Sequence, residues 1–423
     1  MVPDRVPAQS TPRAPSPVVS PQPVAGALPS VSLYDALTLA RAHGPLHRLA
    51  GAREQSAIGR VRESTQWANP SLEWRRENLG SALDPDVFAT AYVPLDVSGR
   101  RLALRQSAAA GRSRAHGERQ RDWLDAEYAV ARAWLHAGSA EMALTVTEQH
   151  AGALREIAAV DSQRLREGLV SEAVGLRTSL ESDRAQVAVV QARAEANAAR
   201  AELARLLGVP VAAHILGLPE LPPAPDSVQA VTVALARRPE VQAFEAAVRE
   251  TERRLAAEQR GVIGEVQLQG GTKETSGVMT GQIGVAMPLP FFNRNDGARQ
   301  RARGELMEAR VHLEDARRTV QGEVATALRH YREMRAAQTA AGTFLTRGQD
   351  VGQIARTSYR EGHITLTELL DAERAAADAM HAFIRWIRDT WTSRLDLERA
   401  IGARLGPDGA FDLPLISTST PER

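Results

Sequence analysis

Two carboxylates are the most suggestive chemistry in this sequence. Glu368 and Asp371 stand three residues apart in a helical pattern, so both lie on one helix face. Like charges crowded together raise some of their pKa values and attract cations. The same spacing also suits an exposed helix in which Glu368 and Asp371 pair with Arg360 or Arg374, an arrangement worth little. No catalytic constellation accompanies them. His43 and His47 straddle Gly44-Pro45, while His312, His330 and His381 are isolated on polar helix surfaces. No HExxH, P-loop or GxSxG pattern occurs in its required context. We therefore expect no enzyme, no cofactor and no metal site.

The acids sit beside a glycine turn that the chain contains twice. Arg166-Glu167-Gly168 recurs as Arg360-Glu361-Gly362, an offset of 194 residues. A glycine between two helical patterns supplies the left-handed conformation that stops the first helix. Three residues later Ser171 and Thr365 can cap the next. Each stretch therefore reads as the tip of a helical hairpin. Glu368 and Asp371 belong to the second hairpin alone, because the first has Val174 and Arg177 at the same offset.

The offset of 194 extends well beyond the tips: Pro45 maps to Pro239, Pro94-Leu95 to Pro288-Leu289, and Leu203 and Gly208 to Leu397 and Gly402. Separated landmarks at one gapless offset indicate a duplication. The expected organisation is a Pro-rich disordered segment over 1–30, a first repeat over 31–208 and a linker over 209–226. A second repeat over 227–405 and a loose tail over 406–423 complete it. Each repeat reads as an opening helix, two strands, a very long helix, a tip and a return helix. Leu72 and Trp74 alternate with Glu73 and Arg75, a strand period, and Val266 and Leu268 do so at the same offset. Second strands run from Val87 to Leu95 and through Ile283, Val285 and Met287. Their length suits a tilted membrane-spanning strand. The repeat register puts Ala89, Ala91 and Val93 with Ile283, Val285 and Met287, whereas bulk favours the face of Phe88 and Tyr92. The helix pattern from Gly99 to Arg166 spans roughly 100 Å at 1.5 Å per residue. Such a helix needs equally long neighbours. The return helix supplies small residues for close packing: Ala185, Ala188, Ala192, Ala196 and Ala199.

Composition narrows the compartment and the partners. The chain has 423 residues, with 52 basic and 51 acidic side chains, so there is no global attraction to nucleic acid. Aromatic residues make up only 4%, which suits narrow helix–helix packing better than a thick core. The absence of cysteine excludes disulfides, thiolate sites and a lipid-modified N-terminal cysteine. No apolar run is long enough for a transmembrane helix. The first residues lack the basic-then-apolar plan of a secretory signal.

The duplication, the order of elements, the Gly168-Leu169-Val170 turn and the stretch from Tyr359 to Arg374 together resemble the TolC family of outer-membrane efflux channel proteins. Pro288-Leu289-Pro290-Phe291-Phe292-Asn293-Arg294-Asn295-Asp296-Gly297 is similar to the strand-to-helix segment of its heavy-metal, cobalt–zinc–cadmium branch. Leu95 to Arg101 resembles the first-copy counterpart, with Ser98 where a second glycine is usual. The resemblance implies a mainly α fold with a small β part, in which long antiparallel hairpins form an α-barrel across the periplasm. Four strands per chain would join a twelve-stranded β-barrel in a homotrimer. It implies a passive exit duct working with an inner-membrane pump and a periplasmic adaptor, or membrane fusion protein. Expected lipid-facing residues are Leu72, Trp74, Val266, Leu268, Ile283 and Val285. Expected adaptor contacts are Gly168, Leu169, Val170 and Ser171, with Gly362, His363, Ile364 and Thr365. Glu368 and Asp371 match acids that line the narrowest part of the duct, and Tyr359 matches a tyrosine tied to the closed state. The alternative is a soluble coiled-coil scaffold, which has no use for four alternating strands.

Overall fold

The computed structural model describes residues 30–77, 86–213, 221–262, 264–405 and 411–414. The expected disorder before residue 30, the turn containing Asp84-Pro85 and the end of the tail lie outside the described residues. The chain opens with β1 (Ser30–Val31), α1 (Leu33–His43), α2 (Pro45–Thr65), β2 (Ser71–Glu77) and β3 (Asp86–Leu95). The first hairpin is α3 (Arg100–Arg166) and α4 (Glu172–Leu207), followed by β4 (Ala212–Ala213). The second repeat holds α5 (Ser227–Arg237), α6 (Pro239–Arg260), β5 (Val266–Thr275) and β6 (Val278–Ala286). It continues with α7 (Asp296–Ala336), α8 (Gln338–Arg360), α9 (Leu366–Ile401), β7 (Ala403–Leu405) and β8 (Phe411–Pro414).

The duplication is visible in the backbone, with four departures from expectation. The single opening helix expected in each repeat is split in two. Gly44 and Arg238 take extended ψ of 131° and 126°, because a residue before proline is driven out of the helical region. Pro45 and Pro239 then start new helices at positions whose amide would be unpaired anyway. The second long helix is interrupted at Ala337, whereas α3 runs unbroken for 67 residues. The linker is not featureless, since β4 pairs in parallel with β1. Nor is the tail wholly loose: β7 pairs antiparallel with β8.

Packing follows the two copies. One apolar cluster joins α1, α3, α4 and α9 around Trp134, Leu135, Leu203 and Leu207. The Trp134 indole donates to the Val31 carbonyl at 2.9 Å and so ties β1 to the long helix. The other cluster joins α5, α7 and α9 around Val320, Val324, Leu328, Tyr331 and Ile401. The Tyr331 hydroxyl, fully buried, donates to the Pro222 carbonyl at 2.7 Å. Because α9 contributes to both clusters, it couples the second hairpin to the first.

Candidate functional site

The tips share one backbone solution. Gly168 and Gly362 adopt φ of 73° and 80°. In the first copy the Leu169 amide donates to the Arg164 carbonyl at 2.8 Å and the Gly168 amide to that of Leu165 at 3.1 Å. In the second, His363 donates to Ser358 at 2.8 Å and Gly362 to Tyr359 at 3.1 Å. Both ends are therefore Schellman caps, in which the left-handed residue lets two amides satisfy the last carbonyls. Leu169 is 69% exposed, Ser171, His363 and Thr365 are exposed, and Val170 and Ile364 are half-buried.

The helices leaving the tips start differently. Thr365 Oγ1 accepts from the Glu368 amide at 3.3 Å, and a Glu368 carboxylate oxygen accepts from the Thr365 amide at 2.7 Å. This is a capping box. The expected side-chain cap from Ser171 does not form, and Val174 occupies the position that would complete a box there. The bond from the Thr365 amide holds the Glu368 carboxyl below its usual range. Asp371 is exposed and lies 3.8 Å from Arg374, in line with the pairing alternative.

Tyr359 crosses to the first hairpin. Its hydroxyl donates to both carboxylate oxygens of Asp161 at 2.8 and 3.0 Å. Asp161 is completely buried, and the Arg164 guanidinium lies 5.4 Å above the Tyr359 ring. Burial, then the Asp161 carboxylate, pushes the Tyr359 hydroxyl up to about 12. Further along this seam, Arg177 donates to Thr367 at 3.2 Å and Arg374 to Glu181 at 2.6 Å. Glu373, almost wholly buried, pairs with Arg356 at 2.6 Å and lies 3.9 Å from His150. Thr147 and His381 approach to 3.4 Å. Asp161 and Glu373 escaped sequence reasoning. One signal was available: at the offset of 194, Asp161 aligns with Ala355 and Tyr359 with Leu165, so both partners break the repeat.

The four longest strands form one antiparallel sheet in the order β2-β3-β5-β6, and both edge strands lack a partner among the described residues. Directly opposed residues share a face. The row Leu72–Ala91–Gly270–Ile283 therefore lies on one face, as does Leu268 between Val93 and Val285. Trp74 is two residues along from Leu72, so it shares that face. This settles the facing of β3 in favour of the repeat register. Phe88 and Tyr92 lie on the opposite, polar face with Glu73, Arg75, Gln269, Lys273 and Gln282. Bulk misleads here because Phe88 is held by cations, Arg75 at 4.8 Å and Lys273 at 5.1 Å, and the Tyr92 hydroxyl donates to Glu73 at 2.8 Å. Leu72, Trp74, Ile283 and Val285 are exposed, and Leu268 is marginally so. Val266 departs from the expected set. It has the same facing but is only 7% exposed, at the end of β5 beside the helices.

Elsewhere the hairpins leave apolar stripes uncovered: Leu176, Leu180, Val187 and Val190 on α4, and Phe344, Val351 and Ile354 on α8. Among the described residues no helix is long and apolar enough to cross a membrane. No group of three or more ligand side chains among them could hold a metal ion.

Residues 230–403 match the family described as Outer membrane efflux protein. The chain is 24% identical over 404 residues to the cobalt-zinc-cadmium resistance protein CzcC of Cupriavidus metallidurans, covering 91% of this chain and 92% of that one. The fold is similar to the CmeC outer membrane channel of Campylobacter jejuni, with a TM-score of 0.77, 16% identity and coverage of 90% and 86%. It is also similar to the MtrE outer membrane channel of Neisseria gonorrhoeae, with a TM-score of 0.72, 19% identity and coverage of 89% and 90%.

Proposed function

We propose that the chain belongs to the TolC family of outer-membrane efflux channel proteins, in keeping with the match of residues 230–403 to the outer membrane efflux protein family, and that three copies close into the exit duct of a tripartite efflux system. The observation that carries this is the sheet, with one apolar face, one polar face and two unpaired edges. Open edges are not tolerated in lipid, where no water satisfies the free amides and carbonyls. Three such sheets pairing β2 to β6 remove every edge. Glu73, Arg75, Gln269 and Gln282 then line a wet lumen while Leu72, Trp74, Ile283 and Val285 meet acyl chains. The uncovered stripes on α4 and α8 are where neighbouring protomers pack, extending the duct through the periplasm.

Cargo passes from an inner-membrane pump through a periplasmic adaptor that docks at the tips, against Leu169, Val170, His363 and Ile364. The cargo class is heavy-metal cations, by likeness to the cobalt-zinc-cadmium resistance protein. Such ions pass as substrate and need no resident metal cluster. At the tips Tyr359 on Asp161 holds the second hairpin inward, and Glu368 and Asp371 from three protomers form an acidic ring at the constriction. Cysteines placed in β2 and β6 test the assembly. They are expected to cross-link trimers in outer-membrane fractions, and a soluble monomer contradicts it. Leu169→Asp with Ile364→Asp is expected to abolish efflux while trimers persist; unchanged efflux removes the docking assignment.

A further inference from the structure

The two repeats leave the sheet by different routes. In the first, residues 96–99 join β3 to α3, and the Asp96 carboxylate accepts from the Ser98 and Arg101 amides at 3.1 and 2.7 Å. In the second, residues 287–295 separate β6 from α7. This longer junction carries Phe291 and Phe292 where the offset of 194 gives Val97 and Ser98. Phe291 is 72% exposed and Phe292 is fully exposed. The junction is nonetheless anchored behind them. Asn295 takes φ 62°, and its side-chain amide donates to the Glu258 carbonyl and carboxylate at 2.9 Å each. Arg294 is exposed and has no acidic or hydrogen-bonding partner among the described residues. Its counterpart Arg100 is paired with Glu258 at 3.4 Å.

We propose that the 287–295 junction is a lipid anchor for anionic phospholipid in the inner leaflet of the outer membrane. Phe291 and Phe292 enter the acyl boundary, and Arg294 takes the headgroup phosphate. The proposal rests on reading the sheet as a membrane barrel. Two observations commit it to lipid. Met287 and Leu289, both exposed, continue the two-residue spacing of Ile283 and Val285 and so extend the apolar face to the helical end of the sheet. An exposed guanidinium two residues beyond an aromatic pair matches the order of acyl chain, interface and phosphate. The anchor belongs to the second repeat alone, so a trimer carries three, and the first-copy junctions between them carry none.

The chain has no native cysteine, so single nitroxide labels report single sites. Phe292→Cys, Ile283→Cys and Ser98→Cys would be labelled and reconstituted in phosphatidylcholine vesicles with or without phosphatidylglycerol. Collisions with oxygen and with a water-soluble nickel chelate would then be compared. Labels at 283 and 292 are expected to favour oxygen and the label at 98 nickel. Phosphatidylglycerol should slow the label at 292, an effect lost with Arg294→Ala. A label at 292 shielded from both reagents places it against a neighbouring protomer and overturns the anchor, as does one that favours nickel while 283 still favours oxygen. If 283 also favours nickel, the barrel reading itself fails. Equal mobility in both lipids overturns the headgroup role of Arg294.

Discussion

The two hairpin tips share a backbone and differ in nearly every side chain that binds something. Both stop their first helix with a left-handed glycine and the same pair of amide bonds. Only the second carries a capping box, and only the second sends a tyrosine across to a buried carboxylate on the other hairpin. The close-packed glycines differ as well. Gly348 and Gly352 of α8 lie so near Ala379 and Ala376 of α9 that an added Cβ would stand 2.4 and 2.9 Å from theirs. The matching positions in the first copy are Leu154 and Ala158. Duplication conserved the geometry that makes a tip. Divergence then gave the second hairpin a side-chain tie to the first, from Tyr359 to Asp161, that the first does not return.

That contrast can be broken by substitution. The largest effect is expected from Gly348→Leu, which drives α8 off α9. Overpacking of this kind costs about 3 kcal/mol, and differential scanning calorimetry should show a lowered Tm. Changing Leu154 to Met, its first-copy counterpart, should cost much less. Next comes Tyr359→Phe, which strands the buried Asp161 carboxylate at a cost of about 2 kcal/mol. A double-mutant cycle with Asp161→Ala should show coupling, whereas Leu165→Phe should show none with Ala355→Gly. A smaller effect is expected from Glu368→Ala, which removes the half of the capping box that accepts from the Thr365 amide and should speed amide exchange at the start of α9. Val174→Glu should slow exchange at the start of α4 by completing a box with Ser171.

The smallest effect concerns pH. Burial, then His381 and Arg356, lowers the His150 pKa; burial, then Arg385, lowers that of His381. A histidine whose folded pKa is depressed binds fewer protons than in the unfolded chain. Seam stability therefore falls as pH drops below about 6.5, the ordinary histidine value. Glu373 opposes this at lower pH, because burial raises its carboxyl and favours the protonated form in the fold, with Arg356 countering. Asp378 also faces both rings and resists the shift, whereas Arg374 adds to it at His150. Limited proteolysis of α8 should quicken between pH 7.5 and 5.5. His150→Gln with His381→Gln should flatten that dependence.

The sequence carried the duplication, both tips and the strand pairs, because these depend on glycine, proline and periodicity, which are local. It could not place β3, because an aromatic residue gripped by Arg75 and Lys273 reads from the sequence like one seeking lipid. The Asp161–Tyr359 contact spans 198 residues and rests on helix packing, which no local pattern encodes. Glu368 was legible as an acid one turn inside a helix, but its engagement with Thr365 depends on how the turn closes. Val266 followed the strand pattern correctly, yet its burial comes from where the sheet meets the helices.

Single-channel recording in planar bilayers tests the duct and its latched second hairpin together. Purified wild-type protein is expected to insert and give small, discrete, cation-preferring steps. Tyr359→Phe should enlarge the steps, and Asp371→Asn with Glu368→Gln, which keeps the cap, should reduce cation preference and block by divalent ions. If no steps appear, or if step size, preference and block match wild type in these variants, the account of a gated outer-membrane duct is contradicted.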